Sequence, residues 1–122
     1  MKSKEKGDLG TAKAISHYMG NGYEVLLPIG DKRPYDLVVE NDGKLQKVQC
    51  KYTTHKSKQG NFCVGLRITG GNQSFHTVKK YEEGDFDLLF AATEEGDYYE
   101  IPMKLLPKSE LTLGKKFEDY KL

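Results

Sequence analysis

Three side chains in this sequence could act together on a phosphate group: Asp36, Gln49 and Lys51. Asp36 lies in Pro34-Tyr35-Asp36-Leu37-Val38-Val39-Glu40, and the other two lie in Lys47-Val48-Gln49-Cys50-Lys51. Asn41-Asp42-Gly43 joins the runs. Asp-Gly between apolar runs predicts a β-hairpin, because the tight turn needs residues that tolerate positive φ. Residues i and i+2 of a strand share a face, so Gln49 and Lys51 are neighbours. Pairing across the turn puts residue 36 roughly opposite residue 49. A carboxylate, an amide oxygen and an ammonium then converge, a set that suits a hard divalent cation and a phosphate. Taken singly, Asp36 also reads as a turn residue or an ion-pair partner of Lys51. Lys51 also reads as an ordinary basic strand residue, and Gln49 as an exposed strand amide.

The elements around the hairpin follow from spacing. Residues 7 to about 20 predict a helix, with Leu9, Ala12, Ile15, Tyr18 and Met19 as its apolar stripe, Asp8 as cap or first-turn acid, and Gly20-Asn21-Gly22 as its stop. Tyr23 to Leu27 predicts a strand closed by Pro28. The second hairpin strand runs from Leu45 to about Tyr52, and 53–61 is a polar loop. Phe62 to Thr69 predicts one strand, with Phe62, Val64, Leu66 and Ile68 on its buried face. A loop at Gly70-Gly71 leads into Phe75 to Tyr81. Asp87 to Ala92 is a nearly continuous apolar run, as a central buried strand requires. Glu94 to Asp97 turns it back into Tyr98 to Ile101. The tail carries two unassigned fragments, Met103 to Leu106 and Leu111 to Leu113. The expected architecture is a mixed α/β core with one main sheet.

A chain of 122 residues with 37% hydrophobic and 30% charged content is expected to form one globular domain over 1–122. No apolar run approaches the ~18 residues of a membrane span, and the charged N-terminus has no apolar stretch after it, which argues against a secretory signal. Cys50 and Cys63 read as reduced thiols of a cytoplasmic protein. His17, His55 and His76 show no paired ligand spacing, and Gly70-Gly71 lacks phosphate-loop spacing. The net charge of +1 is uninformative, but its distribution is not. From Gly43 to Tyr81 there is no Asp or Glu, while Lys44, Lys47, Lys51, Lys56, Lys58, Arg67, Lys79 and Lys80 fall inside. A one-sign block in a balanced chain is the footprint expected for a polyanion partner; a merely solvated basic face is the alternative.

Asp36 with Gln49-Cys50-Lys51 resembles the motif of the PD-(D/E)XK nucleases, and in particular the small endonucleases of bacterial group I introns, which use Gln at the (D/E) place. Gly7-Asp8-Leu9-Gly10-Thr11-Ala12-Lys13-Ala14 with Gly22-Tyr23-Glu24-Val25 looks like that family's first helix and strand. Gly30-Asp31 before Tyr35-Asp36-Leu37-Val38 looks like its second strand, and Asp85 to Phe90 with Tyr98 to Pro102 looks like its closing strands. The resemblance implies a restriction-endonuclease-like fold and a Mg²⁺- or Mn²⁺-dependent DNA endonuclease. In that reading Asp36, Gln49 and the Cys50 carbonyl hold the metal, and Lys51 orients water or neutralises the phosphate. The family usually has a metal-holding Glu where this chain has Thr11. Three explanations stand open: Asp8, one turn earlier, substitutes; Thr11 is a natural or engineered change that cripples cleavage and leaves binding; or the function has drifted to binding.

The loops at 53–61 and 70–80 are the expected DNA-reading surface. Gln59, Asn61, Arg67, Asn72, Gln73 and His76 suit base edges, Lys56, Lys58, Lys79 and Lys80 suit phosphates, and Arg33, just before the site, suits either. Residues 62–81 could enter a major groove as a β-ribbon. The leading expectation is a homing-type endonuclease on double-stranded DNA, working as a dimer or tetramer because two strands need two sites. A Holliday junction resolvase is the alternative enzyme, disfavoured because amides crowd 59–76. A catalytically silent DNA-binding protein is the alternative of another class, and a protein-interaction module comes third.

Overall fold

The computed structural model describes residues 1–30, 32–69 and 78–122. Helix α1 spans Ser3–Gly20. It starts four residues before the expected point, with Lys2 as N-cap and no side-chain capping bond. Ser3-Lys4-Glu5-Lys6 carries no helix breaker, and Lys4 pairs with Asp8 one turn on at 3.7 Å. Asp8 is therefore inside the helix rather than at its cap. The stop is where the glycines place it: Asn21 is the C-cap and Gly22 takes φ 85°.

The buried face of α1 is Gly10, Ala14 and Tyr18, spaced four apart. This corrects the expected stripe, since Ala12 and Met19 are exposed and Leu9 and Ile15 only flank the contact. Small residues lead at the centre of this face because α1 lies tight against the sheet. A Cβ on Gly10 would come within 3.0 Å of the Lys51 carbonyl carbon and 3.2 Å of its oxygen.

The strands are β1 (Glu24–Leu26), β2 (Leu37–Asn41), β3 (Lys44–Thr53), β4 (Phe62–Gly65), β5 (Arg67–Thr69), β6 (Val78–Lys80), β7 (Leu88–Thr93), β8 (Tyr98–Pro102) and β9 (Glu110–Leu113). The main sheet runs β1-β2-β3-β7-β8. Its pairs are antiparallel except β3 with β7, which is parallel and places Gln49 beside Leu89 and Lys51 beside Ala91. The β2–β3 hairpin turns on Asp42 and Gly43 at φ 52° and 81°, the two positive values of a type I′ turn. Leu37 with Val48 is the last pair of the register, and Asp36 lies just beyond it with its N–H on the Val48 carbonyl, close to the expected place opposite residue 49 but outside the regular pairing.

The main sheet is covered on both faces. Helix α1 packs on Leu37, Val39, Val48, Cys50, Phe90 and Ala92. The opposite face, with Leu89, Ala91 and Ile101, packs against Phe62, Val64, Leu111 and Phe117. Every residue of β7 is buried for this reason. The expected single strand over Phe62 to Thr69 is two: β4 pairs with β9 and β5 pairs with β6. The break falls at Leu66, whose N–H donates to the Ser109 carbonyl at 2.9 Å. Among the described residues the β-ribbon is accordingly the short β5–β6 pair, because the tail strand β9 takes β4. The remaining tail forms 3-10 turns at Met103–Leu105 and Lys115–Tyr120. Among the described residues no helix is long and apolar enough to cross a membrane.

Candidate active site

Strand parity divides β3 into two working faces. Val48 and Cys50 are buried toward α1, while Gln49 and Lys51 point to the other side and are half-buried. Asp36 precedes β2, and its N–H extends the ladder by donating to the Val48 carbonyl at 2.9 Å. Its carboxylate reaches past the end of β2 and accepts from the Cys50 N–H at 2.8 Å. N–H and C=O of one strand residue point the same way, so the Cys50 carbonyl is directed to this same side.

Burial raises the Asp36 carboxyl above the usual carboxylate value, with the Cys50 N–H and the Lys51 charge working against it. Burial likewise lowers Lys51, and the charge of Asp36 offsets part of that. The two groups sustain each other's ionised forms in a half-buried cleft.

The Gln49 amide has two ways to lie. In the orientation that satisfies its neighbours, its nitrogen donates to Asp36 Oδ2 at 3.0 Å and to the Pro34 carbonyl at 3.2 Å, and its oxygen accepts from the Tyr81 hydroxyl at 2.8 Å. Turned over, the amide would bring its nitrogen to the Tyr81 oxygen, 2.8 Å away, and its oxygen to those of Asp36 and Pro34. Facing that way, the Gln49 oxygen would join the Asp36 carboxylate as a ligand for a hard cation, and oxygen is what Mg²⁺ takes. The donor set fits such an ion.

These groups line a cleft of about 480 Å³ that extends to the N-terminal half of α1, where Thr11, Asp8 and Lys6 also line it. Thr11 does stand in the same cleft as Asp36, Gln49 and Lys51. Its hydroxyl makes a side-chain contact with the Cys50 thiol, which burial holds in the neutral form. Asp8 is at the exposed rim with Lys4. Among the described residues no three His, Cys, Asp or Glu groups gather to hold a metal; the oxygens grouped with Asp36 are the neutral ones of Gln49 and Pro34.

The family model of the PD-(D/E)XK endonucleases matches residues 1–118. The chain belongs to the PD-(D/E)XK endonuclease family. Its structure superposes on the bacterial homing endonuclease I-Ssp6803I with a TM-score of 0.82 and 35% identity, over 94% of this chain and 80% of that one. It is 31% identical over 101 residues to protein 5.3 of Escherichia phage T7, covering 83% of this chain and 81% of the phage protein. The fold is the restriction-endonuclease-like one, and the substrate class of the family is DNA.

Elsewhere in this PD-(D/E)XK chain, Arg67 and Lys80 are exposed and stand directly opposite each other on β5 and β6. Arg33, Lys58 and Gln59 are exposed as well. Lys79 is paired with Ile68 in the same ladder. Lys56 differs: its ammonium is engaged by Glu95 at 2.6 Å and sits over the Phe62 ring. The Asn61 amide packs against Gly114, where a Cβ would meet it at 3.2 Å. Asn72, Gln73 and His76 lie outside the described residues. Both cysteines are free and buried.

Two contributors escape sequence reasoning. Tyr81 bonds Gln49 across 32 positions, and nothing in the spacing of its segment signals that. Gly10 lets α1 approach the strand at Lys51; its signal is a glycine inside a helical pattern, which marks close backbone approach.

Proposed function

We propose that this chain is a metal-dependent, site-specific endonuclease of the homing type, acting on double-stranded DNA as a single domain over residues 1–122. The observation that carries the reading is the convergence of Asp36, the Gln49 amide and Lys51 on one side of the β2–β3 hairpin. Asp36, the Gln49 oxygen and the Cys50 carbonyl would hold Mg²⁺ or Mn²⁺. Such an ion polarises a phosphate and lowers the pKa of a water. Lys51 would face the phosphate and offset charge that develops there. Two strands require two such sites, so the working form would be at least a dimer.

A second reading, a DNA-binding protein that cuts poorly, has an observation in its favour. Asp36 is the motif carboxylate of the cleft, and the α1 residue that shares the cleft with it and contacts Cys50 is the uncharged Thr11. The test compares this chain with Thr11→Glu on duplex plasmid and on a four-way junction, with and without Mg²⁺. Thr11→Glu is expected to cut in Mg²⁺, on the order of a hundredfold faster than the unmodified chain, the size of one well-placed transition-state contact. Preference for duplex over junction supports the homing type against a junction resolvase. Binding without cleavage by both forms overturns the nuclease reading in favour of the silent binder. Equal cleavage by both makes Thr11 irrelevant and Asp8 the next residue to change.

A further inference from the structure

Tyr81 follows directly on β6 and touches two of the three motif side chains. Its hydroxyl is 2.8 Å from the Gln49 amide, and its ring centroid is 5.5 Å from the Lys51 ammonium. The phenol is itself anchored, edge-on to the buried Phe86 with ring centroids 4.9 Å apart. A phenol both donates and accepts, and burial with the charge of Asp36 holds this one in its protonated form. It is therefore a partner for either end of a side-chain amide.

That property matters because the two orientations of Gln49 answer to two states of the cleft. Without a cation, the amide nitrogen satisfies Asp36 Oδ2 and the Pro34 carbonyl. With one, the Asp36 and Gln49 oxygens would turn to it, and the amide nitrogen would need another acceptor. The Tyr81 oxygen, 2.8 Å away, would be that acceptor after a half-turn of the amide. A half-buried NH₂ left without a partner would cost more than an ordinary hydrogen bond contributes.

We propose that Tyr81 is a positioning residue: its hydroxyl stays bonded to Gln49 through a half-turn of the amide, which shows its nitrogen to Asp36 in the empty cleft and its oxygen to a bound cation, while its ring supports Lys51. The cation half of this inference rests on the metal-binding reading given above. The metal-free half does not.

The test is nuclear magnetic resonance of the Gln49 side-chain NH₂ at one fixed pH, in the unmodified chain and in Tyr81→Phe, which keeps the ring under Lys51. Without metal, hydrogen exchange at this group is expected to be about fivefold faster in the Phe variant, the loss of one net hydrogen bond. Mg²⁺ is expected to move the resonance in the unmodified chain while leaving it slow to exchange, the nitrogen having turned to Tyr81. In Tyr81→Phe, Mg²⁺ should make it exchange fast, because the turned nitrogen has no acceptor. Equal exchange in both metal-free chains, or a slow Gln49 NH₂ in the Mg²⁺-loaded Phe variant, overturns the proposal. If Mg²⁺ moves nothing in the unmodified chain, the metal-binding reading falls, and the metal-free comparison alone judges Tyr81. A check that needs no substitution is the Tyr81 hydroxyl proton: a slowly exchanging signal close to Gln49 supports the contact, and a freely exchanging one overturns it.

Discussion

The Cys50 N–H donates to Asp36 Oδ2 at 2.8 Å, so the strand that carries Gln49 and Lys51 also fixes the carboxylate. This bond favours the ionised carboxyl, yet burial outweighs it and leaves Asp36 above its ordinary value of 3.8. The folded chain then binds this proton more tightly than the unfolded chain does. Stability is fully present below the unfolded value and falls as pH rises through the raised folded value. Asp36→Asn removes the charge and keeps an acceptor for Cys50. Its stability curve is expected to be flatter from about pH 3 to pH 7, and higher than the parent's at neutral pH. Mg²⁺ binding and cleavage should be lost. Chemical denaturation across that range, alongside a cleavage assay, checks both halves. A parent that gains stability with rising pH while Asp36→Asn does not would reverse the sign and refute the argument.

The central hairpin is legible in the sequence because each step in it is local. Asp42-Gly43 specifies the turn, the turn sets the register, and strand parity places Gln49 and Lys51 on one face. Leu88 to Thr93 is legible as a central strand because burial on both faces leaves an unbroken apolar run. What is not legible depends on distant partners. Phe62 to Thr69 alternates like one strand, but β9 captures its first half from the tail and β6 its second. The contact face of α1 centres on Gly10 and Ala14 because backbone distance, not side-chain size, governs that contact. Tyr81 reaches Gln49 only through the β3 to β7 crossover, which no periodicity records.

Gly10→Ala sets two opposed effects against each other. Alanine favours a helix interior over glycine by about 1 kcal/mol. Here its Cβ would meet main-chain atoms of Lys51 and Tyr52 at 3.0 to 3.2 Å, and these cannot swing aside as a side-chain tip can. Overpacking of this kind costs about 1–3 kcal/mol, so the net effect expected is a loss of about 1–2 kcal/mol by urea denaturation. Any shift of α1 from β3 also moves Thr11 relative to Asp36, and small displacements of reacting groups are costly. Any cleavage by Thr11→Glu should accordingly fall when Gly10→Ala is added. A gain in stability would mean that α1 does not lean on β3 through Gly10.

Arg67 and Lys80 face each other across β5 and β6, both exposed. Like charges directly opposite on a ladder destabilise it by a few tenths of a kcal/mol, roughly, and a polyanion laid across them relieves the repulsion. Folding and DNA binding should therefore respond to Lys80→Gln in opposite directions. Folding stability is expected to be unchanged or slightly higher. Binding should weaken by a similar factor on any duplex, and the slope of log affinity against log salt should drop by about 1, as for the loss of one phosphate contact. Arg67→Ala separates phosphate contact from base reading. If Arg67 reads a base edge, its loss should cost about 1–3 kcal/mol on a duplex selected for tight binding and far less on unrelated duplex. Fluorescence titrations at several salt concentrations measure all of these quantities. An unchanged salt slope in Lys80→Gln would remove the β5–β6 ribbon from the DNA interface and leave Arg33 and Lys58 as the exposed cations to examine.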